Sequence, residues 1–85
     1  MPTILMISGW RFLFYANERN EPIHIYCRKA DAEAKHWLDA EAFQVVDAHA
    51  YSMSQADKRT VRRTIFEHFD YIVDEWRRFQ KNENG

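Results

Sequence analysis

The 85-residue sequence contains little of what several protein classes require. Its one cysteine cannot form an internal disulfide, and a lone reduced cysteine is typical of a cytoplasmic protein. Two glycines and two prolines exclude collagen-like and low-complexity chains. No apolar run approaches the roughly 20 residues that span a membrane, and no signal peptide is expected. We therefore expect a cytoplasmic protein that does not bind a membrane.

An excess of charge of one sign is also missing, because 12 basic and 13 acidic residues leave a net charge of −1. Non-specific attraction to nucleic acid should therefore be weak. The chain is short enough that residues 1–85 are expected to form one domain. Aromatic residues are 15% of the sequence and compensate for a thin supply of aliphatic core residues. A domain this small has a narrow stability margin, which favours an accessory surface that a partner stabilises.

The first third of the chain has the pattern of β-strands. Residues 3–16 predict a hairpin, because Ser8-Gly9 is a turn signal between two runs of strand-forming residues. A polar loop follows. Residues 23–28 then alternate between apolar and polar side chains, which is the period of a half-buried strand. Short connections between these strands favour antiparallel pairing.

Residues 31–50 are ambiguous when only the local pattern is considered. Ala, Glu and Lys dominate residues 31–42, and these residue types favour a helix. The apolar residues form no convincing helical stripe, so a strand at residues 33–38 and another at 43–49 fit about as well. Propensity alone leaves helix and strand open for residues 31–42.

The last third of the chain predicts one long amphipathic helix. Ser54 and Asp57 have the spacing of a capping box at its start. Apolar side chains then recur every three or four residues: Val61, Ile65, Phe69, Ile72, Trp76 and Phe79. The polar residues 82–85 are expected to form a frayed C-terminal tail. Together these elements predict an α+β fold, with an antiparallel sheet of about four to five strands packed on the long helix.

Side-chain parity assigns the two faces of this sheet. Ile23, Ile25 and Cys27 form the apolar side of their strand and should meet the helix. The opposite face is expected to be solvated or covered by a partner. It carries His24, Tyr26 and Arg28, Arg11, Leu13 and Tyr15 from the neighbouring strand, and Glu33, Lys35 and Trp37 if that segment is a strand.

Several motifs in matching order and spacing resemble a known family. They are Met1-Pro2-Thr3-Ile4, Arg11-Phe12-Leu13-Phe14-Tyr15, Glu21-Pro22-Ile23-His24-Ile25 and Ala32-Glu33-Ala34-Lys35-His36-Trp37-Leu38, and Trp76 fits the closing helix. On these motifs the chain is similar to small bacterial proteins catalogued as domain of unknown function 4160. The resemblance implies that residues 32–38 form a strand. Members usually have His-x-His where this chain has His24-Ile25-Tyr26, which weakens a chemical role for paired histidines.

Many members of this family look like one half of a two-gene module that resembles a toxin–antitoxin pair. The resemblance therefore implies a small protein-interaction domain that binds a partner protein from a neighbouring gene. Aromatic and basic residues are the candidate binding residues: Arg11, Tyr15, Trp37, Arg59, Arg62 and Arg63. An edge strand at residues 3–7 offers a second way to bind another chain. The sequence leaves open which role the protein has in such a pair, and whether it forms a homo-oligomer.

The alternative is that the chain is itself the toxin, a metal-independent ribonuclease acting on RNA. His24 would then be the general acid or base, and Arg28 would clamp an anion. Tyr26 and Lys35 would assist. The sequence does not decide whether the protein is an enzyme.

Two further observations bear on that choice. No metal or other cofactor is expected, because no histidine pair has ligand spacing and no glycine-rich phosphate loop is present. Basic residues cluster at 58–63, although the low net charge argues against RNA. Convergence of Arg28 and Lys35 with this basic cluster would favour the enzyme, whereas their separation would favour the binding role.

Overall fold

The computed structural model of the protein describes residues 3–15 and 21–84. Within them, five strands precede two helices, an α+β arrangement. The elements are β1 (Thr3–Ile7), β2 (Trp10–Leu13), β3 (His24–Lys29), β4 (Ala32–Asp39), β5 (Gln44–Tyr51), α1 (Gln55–Glu67) and α2 (Phe69–Asn84). The strands lie in the order β1-β2-β3-β4-β5, and each pairs antiparallel with its neighbour. The α+β fold and the antiparallel sheet predicted from the sequence are confirmed.

The predicted hairpin joins β1 and β2 through a two-residue turn. Ser8 has a φ of 53° and Gly9 a φ of 82°, and two positive values are the geometry of a type I′ turn. β1 lies at one edge of the sheet, as predicted. A register shift interrupts its pairing near Ile4, and the Tyr71 hydroxyl donates a 2.9 Å hydrogen bond to the Ile4 carbonyl oxygen. A bulge and a helix side chain therefore occupy part of this edge.

The segment that propensity left open is a strand, as the family resemblance implies. β4 pairs with β3 through residues 32–37 on one side and with β5 through residues 33–39 on the other. Ala32 and Ala34 are 7% and 0% exposed and belong to the hydrophobic core. Two flanking strands and a buried face outweigh the helical propensity of Ala, Glu and Lys.

The predicted capping box at the start of α1 is confirmed. The Asp57 backbone N–H donates to Ser54 Oγ at 3.0 Å, and Asp57 Oδ2 accepts from the Ser54 backbone N–H at 3.3 Å. These two bonds satisfy donors that the first turn of a helix would otherwise leave unpaired.

The single long helix predicted from the apolar spacing is two helices. His68 separates them, with a φ of −120° and a ψ of 24°. Its backbone N–H and its Nδ1 lie 3.1 and 3.0 Å from the Thr64 carbonyl oxygen, so backbone and ring both bond to the last turn of α1. The backbone of α2 is helical through Asn84, into the stretch 82–85 that the sequence predicts to fray. No helix of the described residues is long and apolar enough to cross a bilayer.

Both helices pack on one surface of the sheet, which we call the inner face. Its core consists of Trp10, Phe12, Phe14, Ile25, Cys27, Ala32, Ala34, Leu38 and Val45 from the sheet and its loops, with Val61, Ile65, Phe69, Ile72 and Val73 from the helices. Ile25 and Cys27 are both 0% exposed there, and Ile23 packs against the same cluster. The parity assigned to this strand from the sequence is therefore confirmed.

Candidate functional site

The other surface of the sheet, which we call the outer face, carries side chains in three cross-strand rows set by the strand register. The first, the cationic row, is Met6, Arg11, Arg28, Glu33 and Tyr51. The second, the central row, is Leu13, Tyr26, Lys35 and His49. The third, the tryptophan row, is His24, Trp37 and Val46. The strand register therefore places six predicted site residues on the outer face. Four were predicted for catalysis, and two, Arg11 and Trp37, were predicted for binding.

The expectation that this face is solvated or covered by another protein is wrong for its centre, which the chain covers itself. His24 is 1% exposed, Tyr26 7% and Lys35 8%. Glu21 Oε1 lies 2.6 Å from Lys35 Nζ, and the Tyr15 ring packs edge-on against Tyr26 with centroids 4.5 Å apart. Tyr15, which follows β2, and Glu21, which precedes β3, therefore cover part of the outer face.

His24 is held in a fixed orientation beneath this cover. Its Nδ1 lies 2.8 Å from the Pro22 carbonyl oxygen, a bond in which the ring nitrogen donates. The ring packs edge-on against Trp37 and Trp76, with centroid distances of 5.6 and 6.4 Å. A general acid or base must reach the proton that it transfers. With 1% of its surface exposed, His24 does not reach an external substrate in this conformation.

Lys35 is likewise engaged within the chain. Its ammonium pairs with Glu21 and lies over two rings, 4.3 Å from the Trp37 centroid and 5.4 Å from that of Tyr26. The hydrogen bond from Lys35 is the main reason that the pKa of Glu21 lies below its usual value, against a smaller opposing effect of burial. The Lys35 charge is therefore balanced internally and is not displayed to a phosphate.

The basic cluster of the helix lies away from the outer face. Arg59, Arg62 and Arg63 are exposed residues of α1, which packs on the inner face. Arg62 Nη1 lies 3.4 Å from Asp47 Oδ1, and its guanidinium lies 5.3 Å from the Phe66 ring centroid. The structure does not bring these arginines together with Arg28 and Lys35. Separation of these groups is the arrangement expected of a binding protein, whereas their convergence was expected of an enzyme.

The other groups considered for chemistry are Cys27 and the side chains that could bind a metal. Cys27 is buried on the inner face, and desolvation raises the pKa of its thiol to about 12, so the nucleophilic thiolate is scarce at neutral pH. Across residues 3–15 and 21–84, no group of three His, Cys, Asp or Glu side chains is placed to hold a metal ion.

An apolar cleft at the end of the outer face was not predicted from the sequence. It encloses about 690 Å³, and its apolar lining consists of Pro22, Ile23, Trp37, Leu38, Ala40, Val46 and Trp76. Asp39, Glu41 and Arg77 also border it. We call this feature the tryptophan cleft. The hydrophobic periodicity of the sequence does not predict this cleft, because the cleft forms where the ends of two strands meet α2.

His36 is a second feature that the sequence reasoning missed. It lies on the inner face and is 4% exposed, with Nε2 3.4 Å from Asp47 Oδ1. Its Nδ1 is buried and has no hydrogen-bond partner among the described residues. Burial lowers the pKa of His36, with Asp47 opposing that shift. Parity places His36 on the face opposite Lys35 and Trp37, but no local pattern indicates that one of its ring nitrogens is buried without a hydrogen-bond partner among the described residues.

The lowered pKa of His36 predicts a loss of stability in weak acid. The unfolded chain takes up a proton near the ordinary pKa of 6.5, whereas the folded chain resists it, so His36 stabilises the fold above that pH and progressively less below it. We expect the free energy of unfolding, measured in urea between about pH 7.5 and 5.5, to depend less on pH in His36→Met than in the parent. His49→Met, a change on the outer face, is the matched control. An unchanged pH dependence in His36→Met would contradict the assignment.

The fold defines a small α+β domain in which a meander sheet carries two helices on one face and polar and aromatic rows on the other. Residues 9–77 match the family described as Domain of unknown function (DUF4160). The match covers well over half of the chain, so the protein belongs to this family, and the resemblance found in the sequence is confirmed. The matched segment contains the tryptophan cleft and every row residue except Met6. Neither a curated protein nor a solved structure matches the chain.

Proposed function

We propose that this domain binds a small partner protein on its outer face, as one component of a two-protein bacterial module that resembles a toxin–antitoxin pair. The observation that supports the proposal is the exposure of large apolar side chains at the ends of the outer-face rows. Met6 is 64% exposed, Tyr51 61% and Val46 54%. Met6 lies on one edge strand and Val46 and Tyr51 on the other, so exposed apolar side chains border the outer face on both sides, which favours contact with another protein there.

Two other exposed apolar residues, Phe43 and Tyr71, lie outside the outer-face rows and contact other elements of the chain. Tyr51 also has a ring contact, because its centroid lies 5.1 Å from that of His49. Phe43 is 55% exposed, but its ring lies 5.4 Å from that of Phe66 and 4.7 Å from that of Phe69. Tyr71 is 44% exposed and donates its hydroxyl hydrogen to the Ile4 carbonyl oxygen. The exposed apolar side chains of the outer face are therefore the better candidates for contact with another protein.

The tryptophan cleft supplies an anchor point beside Val46. Concave apolar pockets are where single side chains of a partner contribute most to affinity, and tryptophan is enriched among the residues that do so. An apolar side chain of the partner would enter between Trp37 and Trp76. The rest of the partner would lie over the exposed margins of the outer face, where Met6 and Tyr51 stand, and over the Tyr15 and Glu21 side chains that cover its centre.

The ribonuclease alternative has less support from the same geometry. His24 and Lys35 would have to be uncovered before either could touch RNA, and Arg28 is the only exposed member of the proposed catalytic set. The helix arginines that would add affinity for phosphate lie on α1, away from the outer face. Partner binding is therefore the better supported function of this face.

The substitution Val46→Glu tests the proposal directly. A carboxylate in the centre of an apolar contact would have to be buried without a partner, so we expect the affinity for the product of the adjacent gene to fall about tenfold or more. Affinity is measured by calorimetric titration after the two proteins are purified separately. Val46 is 54% exposed, so the substitution should leave the fold intact.

Gln55→Glu is the matched control, because it adds one negative charge at an exposed position of α1. It should bind as the parent does. Equal loss of affinity in both variants would assign the effect to net charge. A parent chain that does not bind the adjacent gene product at all would overturn the proposal.

A further inference from the structure

Positive charge is concentrated at one end of the outer face. Arg11 and Arg28 are direct cross-strand neighbours in the cationic row. Lys29, the next residue, pairs with Ala32 of the inner face, and its ammonium borders the same end of the sheet 5.7 Å from the Trp10 ring centroid. With Met6, Gly9 and Ala30 these three basic residues line a cavity of about 340 Å³. We call this feature the arginine corner. Like charges placed opposite each other on neighbouring strands destabilise a sheet, so this arrangement calls for a compensating anion.

Partners among the described residues neutralise only part of this charge. Glu33 Oε1 lies 3.3 Å from Arg28 Nε. No carboxylate of residues 3–15 and 21–84 lies within ion-pairing distance of Arg11 or Lys29. Lys29 Nζ donates to the Ser8 carbonyl oxygen at 3.3 Å instead. The corner therefore keeps an excess of positive charge in a chain whose net charge is −1.

We propose that the arginine corner binds carboxylate side chains of an acidic segment in the partner protein. This inference rests on the proposed function and names the chemistry of the partner at that site. A guanidinium presents parallel N–H donors that match the two oxygens of a carboxylate, and Arg11 has these donors exposed. The acidic segment supplies the counter-charge that the sheet itself lacks.

The surroundings of the corner favour an acidic protein segment over a nucleic acid. Met6 and Tyr51, at the two ends of the cationic row, are 64% and 61% exposed, and apolar side chains of a protein would cover them. Glu33 lies in the same row and repels a continuous chain of phosphates. The net charge of −1 gives no long-range attraction for a polyanion.

The corner and the tryptophan cleft together describe a partner surface. His24 and Arg28 are separated by four residues of β3, so their rows are about 13 Å apart. The corner lies on β1–β3 and the cleft beside β4 and β5, so the spacing between strands adds to this offset, and a partner helix or hairpin with an apolar side chain in the cleft would carry its acidic residues more than about 13 Å away. This spacing is short enough for one element of a small protein to contact both sites.

The test uses a blocked tetraglutamate peptide as the probe and a blocked tetraglutamine peptide as its neutral counterpart. Each is titrated into the full, isotope-labelled chain, and the Nε–H signals of Arg11 and Arg28 are followed by NMR. We expect saturable shifts with tetraglutamate and none with tetraglutamine. Arg11→Glu should weaken tetraglutamate binding about tenfold. Arg59→Glu, the same charge change on α1, should leave it unchanged.

Three results would overturn the assignment: no saturable shift, equal shifts at Arg11 and Arg59, or tighter binding of an oligouridylate than of tetraglutamate at the corner. Titration with the adjacent gene product separates this inference from the proposed function. If Val46→Glu weakens that complex and Arg11→Glu does not, the corner is not part of the interface although the outer face is. If neither the parent nor any variant binds the product, the proposed function itself is wrong.

Discussion

Phe12→Ala is expected to lower the free energy of unfolding by about 3–5 kcal/mol. Phe12 is 0% exposed in the core between the sheet and the helices, so its removal leaves a cavity that the surrounding side chains fill only in part. A domain of this length has a total stability of about 4–13 kcal/mol. The variant should therefore show a large drop in the urea midpoint, followed by circular dichroism, and a substantial unfolded population in water if the parent lies low in that range.

Leu13→Ala distinguishes a covered outer face from a solvated one. Leu13 follows Phe12 in β2 and points to the opposite face, yet it is only 1% exposed. We expect a loss of about 2–4 kcal/mol, because the side chain is buried even though it lies outside the main core. Val46→Ala, at an exposed position of the same face, should change stability by no more than about 0.5 kcal/mol. A Leu13→Ala variant as stable as Val46→Ala would contradict the covered centre.

Glu21→Gln is expected to lower the free energy of unfolding by about 2 kcal/mol at neutral pH. The substitution removes the carboxylate that lies 2.6 Å from Lys35 Nζ and leaves a buried ammonium without its counter-charge. The loss should be smaller than for a fully buried pair, because the Glu21 side chain is 38% exposed and water can partly replace it. Urea unfolding measures the change.

The double variant Glu21→Gln/Lys35→Met isolates the effect of the stranded charge. Methionine keeps an unbranched apolar side chain between the rings of Tyr26 and Trp37, so the double variant should recover most of the stability lost in Glu21→Gln. The lowered pKa of Glu21 adds a second expectation. Its stabilising effect is present above the ordinary pKa of 4.5 and is lost as the pH falls below that value. The single variant Lys35→Met completes the comparison. If the changes in the free energy of unfolding of Glu21→Gln and Lys35→Met add up to that of the double variant, the two side chains are not coupled.

The strands and their faces could be predicted from the sequence because they depend on local patterns. Alternation of apolar and polar residues in 23–28 fixed which side chains meet the helices, and Ser8-Gly9 fixed the first turn. The strand at residues 32–38 was predicted from the family resemblance, since its composition favours a helix. The break at His68 could not be predicted, because the apolar spacing on its two sides remains compatible with one continuous helix.

The burial of the candidate site could not be predicted, because it depends on contacts between distant parts of the chain. Glu21 and Lys35 are 14 residues apart, and parity places Lys35 on the outer face without indicating what covers it. Trp37 and Trp76 meet only because the end of β4 packs near α2. Local patterns therefore identify which residues share a face, while the exposure of each residue depends on distant side chains that pack over it, such as Tyr15, Glu21 and Trp76.

The central claim is that the outer face, and not the helical face, binds the partner. The most direct test is NMR titration of the isotope-labelled chain with the product of the adjacent gene, following backbone amides and the indole N–H signals. The proposal predicts shifts at the Trp37 indole and along β5 at Val46 and Tyr51, with the amides of α1 unchanged. Shifts confined to α1 and α2, with the Trp37 indole unaffected, would contradict it.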